Sequence, residues 1–492
     1  MKRSSGILMH ISSLPGNFGI GTLGKEAYKF VDFLKNSGQS YWQILPLGHT
    51  SYGDSPYQCF SAFAGNPYFI DFDLLEEENL LLKEDYINID YGNDENKIDY
   101  GKIYYERKNI LKKAYKNFLN KNQQLFTKFK EENYFWLEDY SLYMAIKEEF
   151  NLKSWQQWDE DIRIRKKYVL SYYKVKLKDE INYWAFVQFK FFEQWNNLKV
   201  YANKKGIKII GDIPIYVAED GSDIWANPKM FNLDENLKPK VVAGCPPDAF
   251  AKTGQLWGNP IYNWTYLESN AYKWWVLRIK ESFKLYDVVR IDHFRGFESY
   301  WEVPYGDKTA EFGRWVKGPG IKLFNTIKDK LGNLNIIAED LGFLTQEVID
   351  FKDETGYPGM KVLQFAFGSY NSGYMPHNYE KNSVAYTGTH DNDTIKGWID
   401  KERSSEIFKQ AKEYLGLNEE EGYNFGFIRG AFSSVSDLVI IPLQDFLNLG
   451  TEARINIPST LGGNWTWRVD RKLLTEELEK KIYKITELYG RL

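Results

Sequence analysis

The chain has 492 residues, 43% of them hydrophobic and 26% charged, with a formal net charge of −4. That length suits one large domain with insertions or a small number of domains. The near-neutral charge leaves no electrostatic footprint for nucleic acid or for an anionic membrane surface. Cys59 and Cys245 lie far apart with no metal-ligand spacing, as expected of free thiols in a reducing compartment. The apolar core of the opening segment, Gly6 to Ile11, is too short for a signal peptide, and no run is long enough to span a bilayer. The expectation is a cytoplasmic protein. Aromatic residues make up 17%, with 16 Trp and 35 Tyr, which fits either large aromatic cores or walls that stack on sugar rings.

In chain order, GILMHI (Gly6 to Ile11) predicts a strand. Ala27, Phe30, Val31 and Leu34 follow at helical spacing, with Gly38 as the stop. YWQILPL (Tyr41 to Leu47) predicts the next strand, so the chain opens with a parallel pair and a crossover helix. Gly16, Gly19, Gly21 and Gly24 do not have dinucleotide-loop spacing. From 71 to 200 the strand signals thin out and helical spacing recurs, as at Leu137, Tyr140 and Met144. This stretch is expected to be a mainly helical insertion after the second strand. Strand patterns resume with IKIIGDIPIYVA from Ile207, followed by a segment expected to be irregular, Glu219 to Trp264. Further strands are expected at 287–291, at NIIA (Asn335 to Ala338), at KVLQFAF (Lys361 to Phe367), at SVAY (Ser383 to Tyr386) and at LVII (Leu438 to Ile441). Leu474, Leu478, Ile482, Ile485 and Leu488 predict one apolar face of a C-terminal packing helix. Eight strands alternating with helices is the count of a (β/α)₈ barrel. An open doubly wound sheet is the alternative, since short strands alone do not show closure.

Asp212, Asp292, Glu339 and Asp391 each stand at the end of a predicted strand, so they would converge on one rim. The run YDVVRIDHFRGF (Tyr286 to Phe297) turns from apolar to charged within one strand, which is costly unless the charges face a cleft. Arg290 lies two residues before Asp292 on the same strand face, and is expected to lower the carboxyl's pKa and keep it ionised. A structural ion pair at a barrel rim would look the same. Glu339 follows apolar Ile336, Ile337 and Ala338 and has carboxylates nearby, which favours a protonated acid. One ionised and one protonated carboxyl is what glycosidic chemistry requires, roughly 5–5.5 Å apart in a retaining enzyme. Metal binding is disfavoured, because Arg290 opposes a cation and the spacing of metal sites is missing.

RIDHFRGF (290–297), IIAEDLG (336–342) and THDNDT (389–394) resemble the three catalytic segments of the 4-α-glucanotransferases called amylomaltases or disproportionating enzymes. LPLGHTSYGDSPYQCFSAFAGNPYFID (45–71), GDIPIYVAEDGSDIWANP (211–228) and GCPPDAFAKTGQLWGNPIY (244–262) extend the resemblance over nearly the whole chain. It implies a TIM barrel related to the α-amylases, with a helical insertion after the second strand and irregular active-site insertions. The division it suggests is a catalytic barrel at 1–70 and 201–492, a helical subdomain at 71–200, and a lid-bearing insertion at 219–264.

The resemblance further implies action on α-1,4-glucans and malto-oligosaccharides by a retaining mechanism without metal or cofactor, with no nucleic-acid or membrane partner. Asp292 would be the nucleophile, Glu339 the general acid/base, and Asp391 the residue that distorts and stabilises the reacting glucose. Arg290, His293, His390, Asp212 and Tyr57 would surround that glucose. Asp248, Gln255 and Trp257 would belong to the segment covering the cleft, and Asn464 would reach in from a late loop. His293 and Asn392 could each serve only to orient a neighbour. The chain departs from the family between Phe367 and Pro376, where GSYNSGYM lacks an acidic residue often found there. An α-glucan hydrolase on the same barrel and a non-enzymatic glucan-binding protein are the alternatives; the three carboxylates argue against the second.

Overall fold

The computed structural model describes residues 2–247, 251–342, 344–460 and 462–492. Eight parallel strands form its centre: β1 Ser4–Leu8, β2 Tyr41–Gln43, β3 Lys208–Pro214, β4 Val288–Asp292, β5 Ile336–Ala338, β6 Gly359–Val362, β7 Ser383–Tyr386 and β8 Leu438–Pro442. Their spatial order follows the chain, and β8 pairs with β1. The remaining seam is bridged by the Ala338 amide, which donates to the Pro358 carbonyl just ahead of β6 at 2.9 Å. Near-complete closure with helical crossovers makes this a (β/α)₈ barrel, not an open sheet.

The first crossover helix, Lys25–Asn36, buries the predicted Ala27, Phe30, Val31 and Leu34. Helices Lys273–Leu285, Ile321–Leu331, Gln346–Thr355 and Tyr423–Ser433 serve later crossovers. Between β2 and β3 the chain runs through helices Tyr100–Phe118, Gln124–Glu132, Tyr134–Glu149 and Lys167–Lys176, then Lys178–Lys204. The last of these lies between two barrel helices. Its Tyr201 donates to Asp32 at 2.7 Å and its Trp195 to the Leu285 carbonyl at 3.1 Å.

Several expectations need correcting. The sixth strand ends at Val362, because Leu363–Phe365 turn into a short 3₁₀ helix and Gln364 donates to the Asp393 carbonyl at 2.7 Å. The second strand stops at Gln43, well ahead of Pro46. The segment expected to be irregular carries strands Val241–Cys245 and Gln255–Pro260, which join Ser299–Pro304 and Arg314–Lys317 in an antiparallel sheet beside the barrel. Its central pairing, of Val241–Cys245 with Ser299–Pro304, joins segments far apart in the chain, so local periodicity carried little sign of the sheet. In the C-terminal helix Glu476–Leu488, Ile482 and Ile485 are buried, but Leu488 is exposed and Leu474 precedes the helix. Among the described residues, no helix is long and apolar enough to cross a membrane.

Register fixes what the barrel encloses. Asp212 pairs with Arg290, and Arg290 with Ile337; paired residues on parallel strands share a face. Arg290 reaches the sulfur of Met360 at 3.4 Å, and Tyr386 donates to Gln43 at 2.9 Å. These contacts identify the shared face as the barrel interior. Asp292 is two residues beyond Arg290 on that face, and Glu339 follows the Ile291–Ala338 pair as its neighbour. Asp212 and Arg290 therefore form one layer, with Asp292 and Glu339 above it at the carboxyl rim. This is the face where (β/α)₈ barrels build active sites.

Candidate active site at the carboxyl rim

Arg290 is the hub of the charged layer. Its Nη1 lies 2.5 Å from Asp212 Oδ2 and 3.1 Å from Asp292 Oδ1. The guanidinium is buried, and Tyr57 donates to the same Asp212 oxygen at 2.8 Å. The Asp212 side chain is 0% exposed, whereas that of Asp292 is 29% exposed. Asp212 therefore lies beneath the cleft floor, and Asp292 opens onto it.

Glu339 is held by its neighbours' backbone. Its Oε2 accepts from the His293 amide at 2.7 Å, and its Oε1 from the Leu341 amide at 2.8 Å. His293 adopts a left-handed backbone with φ of 53°, an uncommon state for a residue other than glycine. The tight turn also needs Gly296, where a Cβ would fall 2.9 Å from the His293 ring.

Burial pushes the Asp292 carboxyl well above the usual carboxylate range; Arg290 pulls it down, while Asp212, Glu339 and Asp391 push it further up. The sequence predicted a lowered value. An arginine on the same strand is visible in sequence, whereas carboxylates from three other strand ends meet only in the fold. Glu339 is also raised, because burial outweighs Arg290 and the two amide donors. Two such carboxyls titrate as a unit. The ion pair between Arg290 and Asp292 favours charge on Asp292, which leaves the proton to Glu339.

The third carboxylate sits in a different frame. Asp391 is 46% exposed, with His390 Nε2 at 3.4 Å from its Oδ1. Burial lowers the pKa of His390, which is neutral near pH 7. The ring of His390 stacks on Tyr57 with centroids 5.1 Å apart, and Trp465 lies within 6.0 Å of both rings. Two residues that the sequence did not single out hold Asp391. Asn456 Nδ2 donates to its Oδ1 at 2.7 Å, and Arg454 donates to its carbonyl at 2.6 Å. The local signal was faint: Arg454 and Asn456 flank buried Ile455 in RIN, ahead of Pro458.

The other expected residues divide. Trp257 packs edge-on against His293 with centroids 4.7 Å apart, and its Nε1 donates to Gln255 at 3.2 Å. The His293 ring is half-buried and its pKa is driven down to about 3, chiefly by desolvation. Asn464 spends its side chain within its own loop, accepting from the Ile457 amide at 3.0 Å and donating to Thr460 Oγ1 at 3.0 Å. Its neighbour Trp465 is what reaches Tyr57. Asn392 accepts from Thr389 at 2.8 Å and shapes the turn before Asp391. Asp248 lies outside the described residues. Among the described residues, no three His, Cys, Asp or Glu side chains form a group that could hold a metal ion.

The chain is similar to known proteins over its whole length. The sequence model of a family described as 4-alpha-glucanotransferase matches residues 9–474. A 4-alpha-glucanotransferase of Clostridium butyricum is 61% identical over 98% of this chain and 100% of its own length. One from Thermus thermophilus is 45% identical, with 100% of both chains covered. Amylomaltase from Streptococcus agalactiae, solved in complex with acarbose, superposes with a TM-score of 0.98 at 46% identity, covering 100% of both chains. With the whole length matched at such identity and the three acidic segments at one rim, the chain belongs to the 4-alpha-glucanotransferase family.

Proposed function

We propose that the enzyme moves α-1,4-glucan segments from a donor malto-oligosaccharide to the 4-hydroxyl of an acceptor glucan by retaining double displacement. The single observation that carries this reading is the adjacent pair at the rim, Asp292 ion-paired to Arg290 and Glu339 buried beside it. Asp292 attacks the anomeric carbon as the bond to the leaving 4-oxygen breaks, and Glu339 gives that oxygen its proton. The resulting glycosyl ester on Asp292 is resolved when an acceptor 4-hydroxyl yields its proton to Glu339 and attacks the same carbon, releasing Asp292. Asp391, fixed by Asn456, holds hydroxyls of the reacting glucose, and the Tyr57–His390–Trp465 aromatics supply a stacking wall.

Transfer prevails over hydrolysis when the acceptor is held in line and water is not. Oriented groups reach effective molarities of roughly 10⁵–10⁸ M, against about 55 M for bulk water. Trp257, seated on His293 next to Asp292, supports a covered acceptor side. We further propose that residues 71–200 form a helical insertion on a barrel of 1–70 and 201–492, and that 219–264 carry the lid. Helix Lys178–Lys204, which closes that helical stretch, contacts the barrel helices through Trp195 and Tyr201.

Incubation with maltotriose alone is expected to give glucose and a ladder of longer maltodextrins at nearly constant total reducing ends. A steady rise in reducing ends, with no product longer than the substrate, would make the protein a hydrolase.

A further inference from the structure

A cavity of about 50 Å³ lies between the loop carrying Tyr57, the end of β3 and the helix Lys273–Leu285. Polar side chains border it from every element: Cys59 from the loop, Asp212 from β3, Arg278 and Ser282 from the helix, and Tyr286 just beyond it. Two atoms on these residues are buried and have no hydrogen-bond partner among the described residues, Asp212 Oδ1 and Arg278 Nε. One is an acceptor on an acid and the other a donor on a base.

The rest of each group is committed. Asp212 Oδ2 accepts from both Tyr57 and Arg290. Arg278 donates through Nη1 to the Ile215 carbonyl at 3.1 Å and through Nη2 to the Pro214 carbonyl at 2.6 Å. Its guanidinium also lies over the rings of Trp275 and Trp274 at 4.9 and 5.4 Å, so the direction of its Nε–H is fixed. Tyr286 lines the cavity from the outer face of β3, where a Cβ on Gly211 would fall 2.2 Å from its ring. Glucose in the cleft cannot serve Oδ1, because the Asp212 side chain is 0% exposed. Water can. One molecule needs roughly 10–15 Å³ and two to four polar partners, and unpaired buried polar groups are costly without it.

We propose that this cavity is a hydration site, in which a short water chain donates to Asp212 Oδ1 and accepts from Arg278 Nε, and that Arg278 is thereby a positioning residue for the catalytic carboxylates. The inference rests on the roles proposed above for Asp292 and Glu339. Arg290 divides its charge between Asp212 and Asp292. With Asp212 hydrated on one oxygen and bonded on the other, its share stays fixed. The other charged or titratable groups around Asp212 are Tyr57, Tyr286, Tyr386 and His390. Without the water, Asp212 loses a donor and draws harder on Arg290, which then gives less of its charge to Asp292. That raises the proton affinity of Asp292 and leaves less of the nucleophile ionised.

A wild-type crystal structure that resolves ordered water should show density joining Asp212 Oδ1 to Arg278 Nε; a dry cavity overturns the proposal. Arg278→Met, and Ala64→Val on the cavity wall, should each lower kcat about tenfold with KM nearly unchanged and move the acid limb of kcat/KM to higher pH. A folded Arg278→Met enzyme with the wild-type pH profile overturns the positioning role. Should that variant not fold, Ala64→Val decides on the same criterion, since it displaces water and leaves the bonds to Pro214 and Ile215 intact. Failure of the wild type to disproportionate maltotriose would strike the functional reading and leave the crystallographic result standing.

Discussion

The backbone amide of His293, one residue past Asp292, donates to Glu339 Oε2 at 2.7 Å. The strand that ends in Asp292 thus also fixes the plane of Glu339, and a shift of one strand end would disturb both carboxyls. The bond favours the charged form of Glu339, yet burial prevails and the group remains raised. Asp292 is raised with it. The rate should therefore follow a bell-shaped pH dependence. Its acid limb, protonation of Asp292, lies above the ordinary carboxylate range, and its basic limb is loss of the Glu339 proton. Initial rates of maltotriose disproportionation between pH 4 and pH 9 (about that span covers both limbs) test this. An acid limb at or below the pKa of a free aspartate would contradict the raised carboxyl.

Asp292→Asn and Glu339→Gln should each cut kcat by roughly 10³-fold or more while leaving the far-ultraviolet spectrum unchanged. The two should differ with α-maltosyl fluoride as donor, whose leaving group needs no proton. Glu339→Gln should still form the glycosyl ester on this donor and accumulate it, detectable by mass spectrometry. Asp292→Asn should form none. Retention of most activity on maltotriose by either variant would remove that residue from its role.

The same burial predicts a trade of stability for activity. A carboxyl with a raised pKa in the fold binds protons that the unfolded chain has already released, so stability falls as pH rises through the window between the two values. Asp292→Asn removes that penalty and should raise Tm at pH 7 by about 1–3 °C. The gain should shrink as pH falls toward the pKa of a free aspartate, where both states are protonated. Scanning calorimetry at pH 7 and at about pH 4 reads the difference. A lower Tm at pH 7 would mean that the contact with Arg290 outweighs burial.

Asn456 holds Asp391 Oδ1 at 2.7 Å, so its loss should free that carboxylate to rotate. Asn456→Ala should lower kcat/KM about 10–100-fold, the range expected when a positioned group drifts by an ångström. Asn456→Asp should be worse than Ala, because it sets a like charge beside Asp391. Equal activity in wild type and both variants, measured on maltotriose, would show that Asp391 is fixed by other contacts.

The outcome for Asn464 and Asn456 shows where local pattern stops. Strand-end carboxylates could be found in sequence because each is a sharp break, as in VVRID or IIAED, and a buried strand tolerates such a break only at its rim. The same reasoning placed Arg290 next to Asp292, since residues two apart on a strand share a face. Alternation of strands and helices gave the strand count, and the family segments gave the expectation of a barrel. Closure itself depends on the pairing of β8 with β1 and the bond from Ala338 to Pro358, between residues far apart in the chain or separated by a crossover helix. The elevated pKa of Asp292, the grip of Asn456 on Asp391, the antiparallel sheet beside the barrel and the cavity at Asp212 arise from groups that meet only through such pairings. Periodicity and charge order report what a segment must bury. Electrostatic balance and hydrogen-bond partners depend on distances of a few ångströms between separate segments, which are set when the barrel closes.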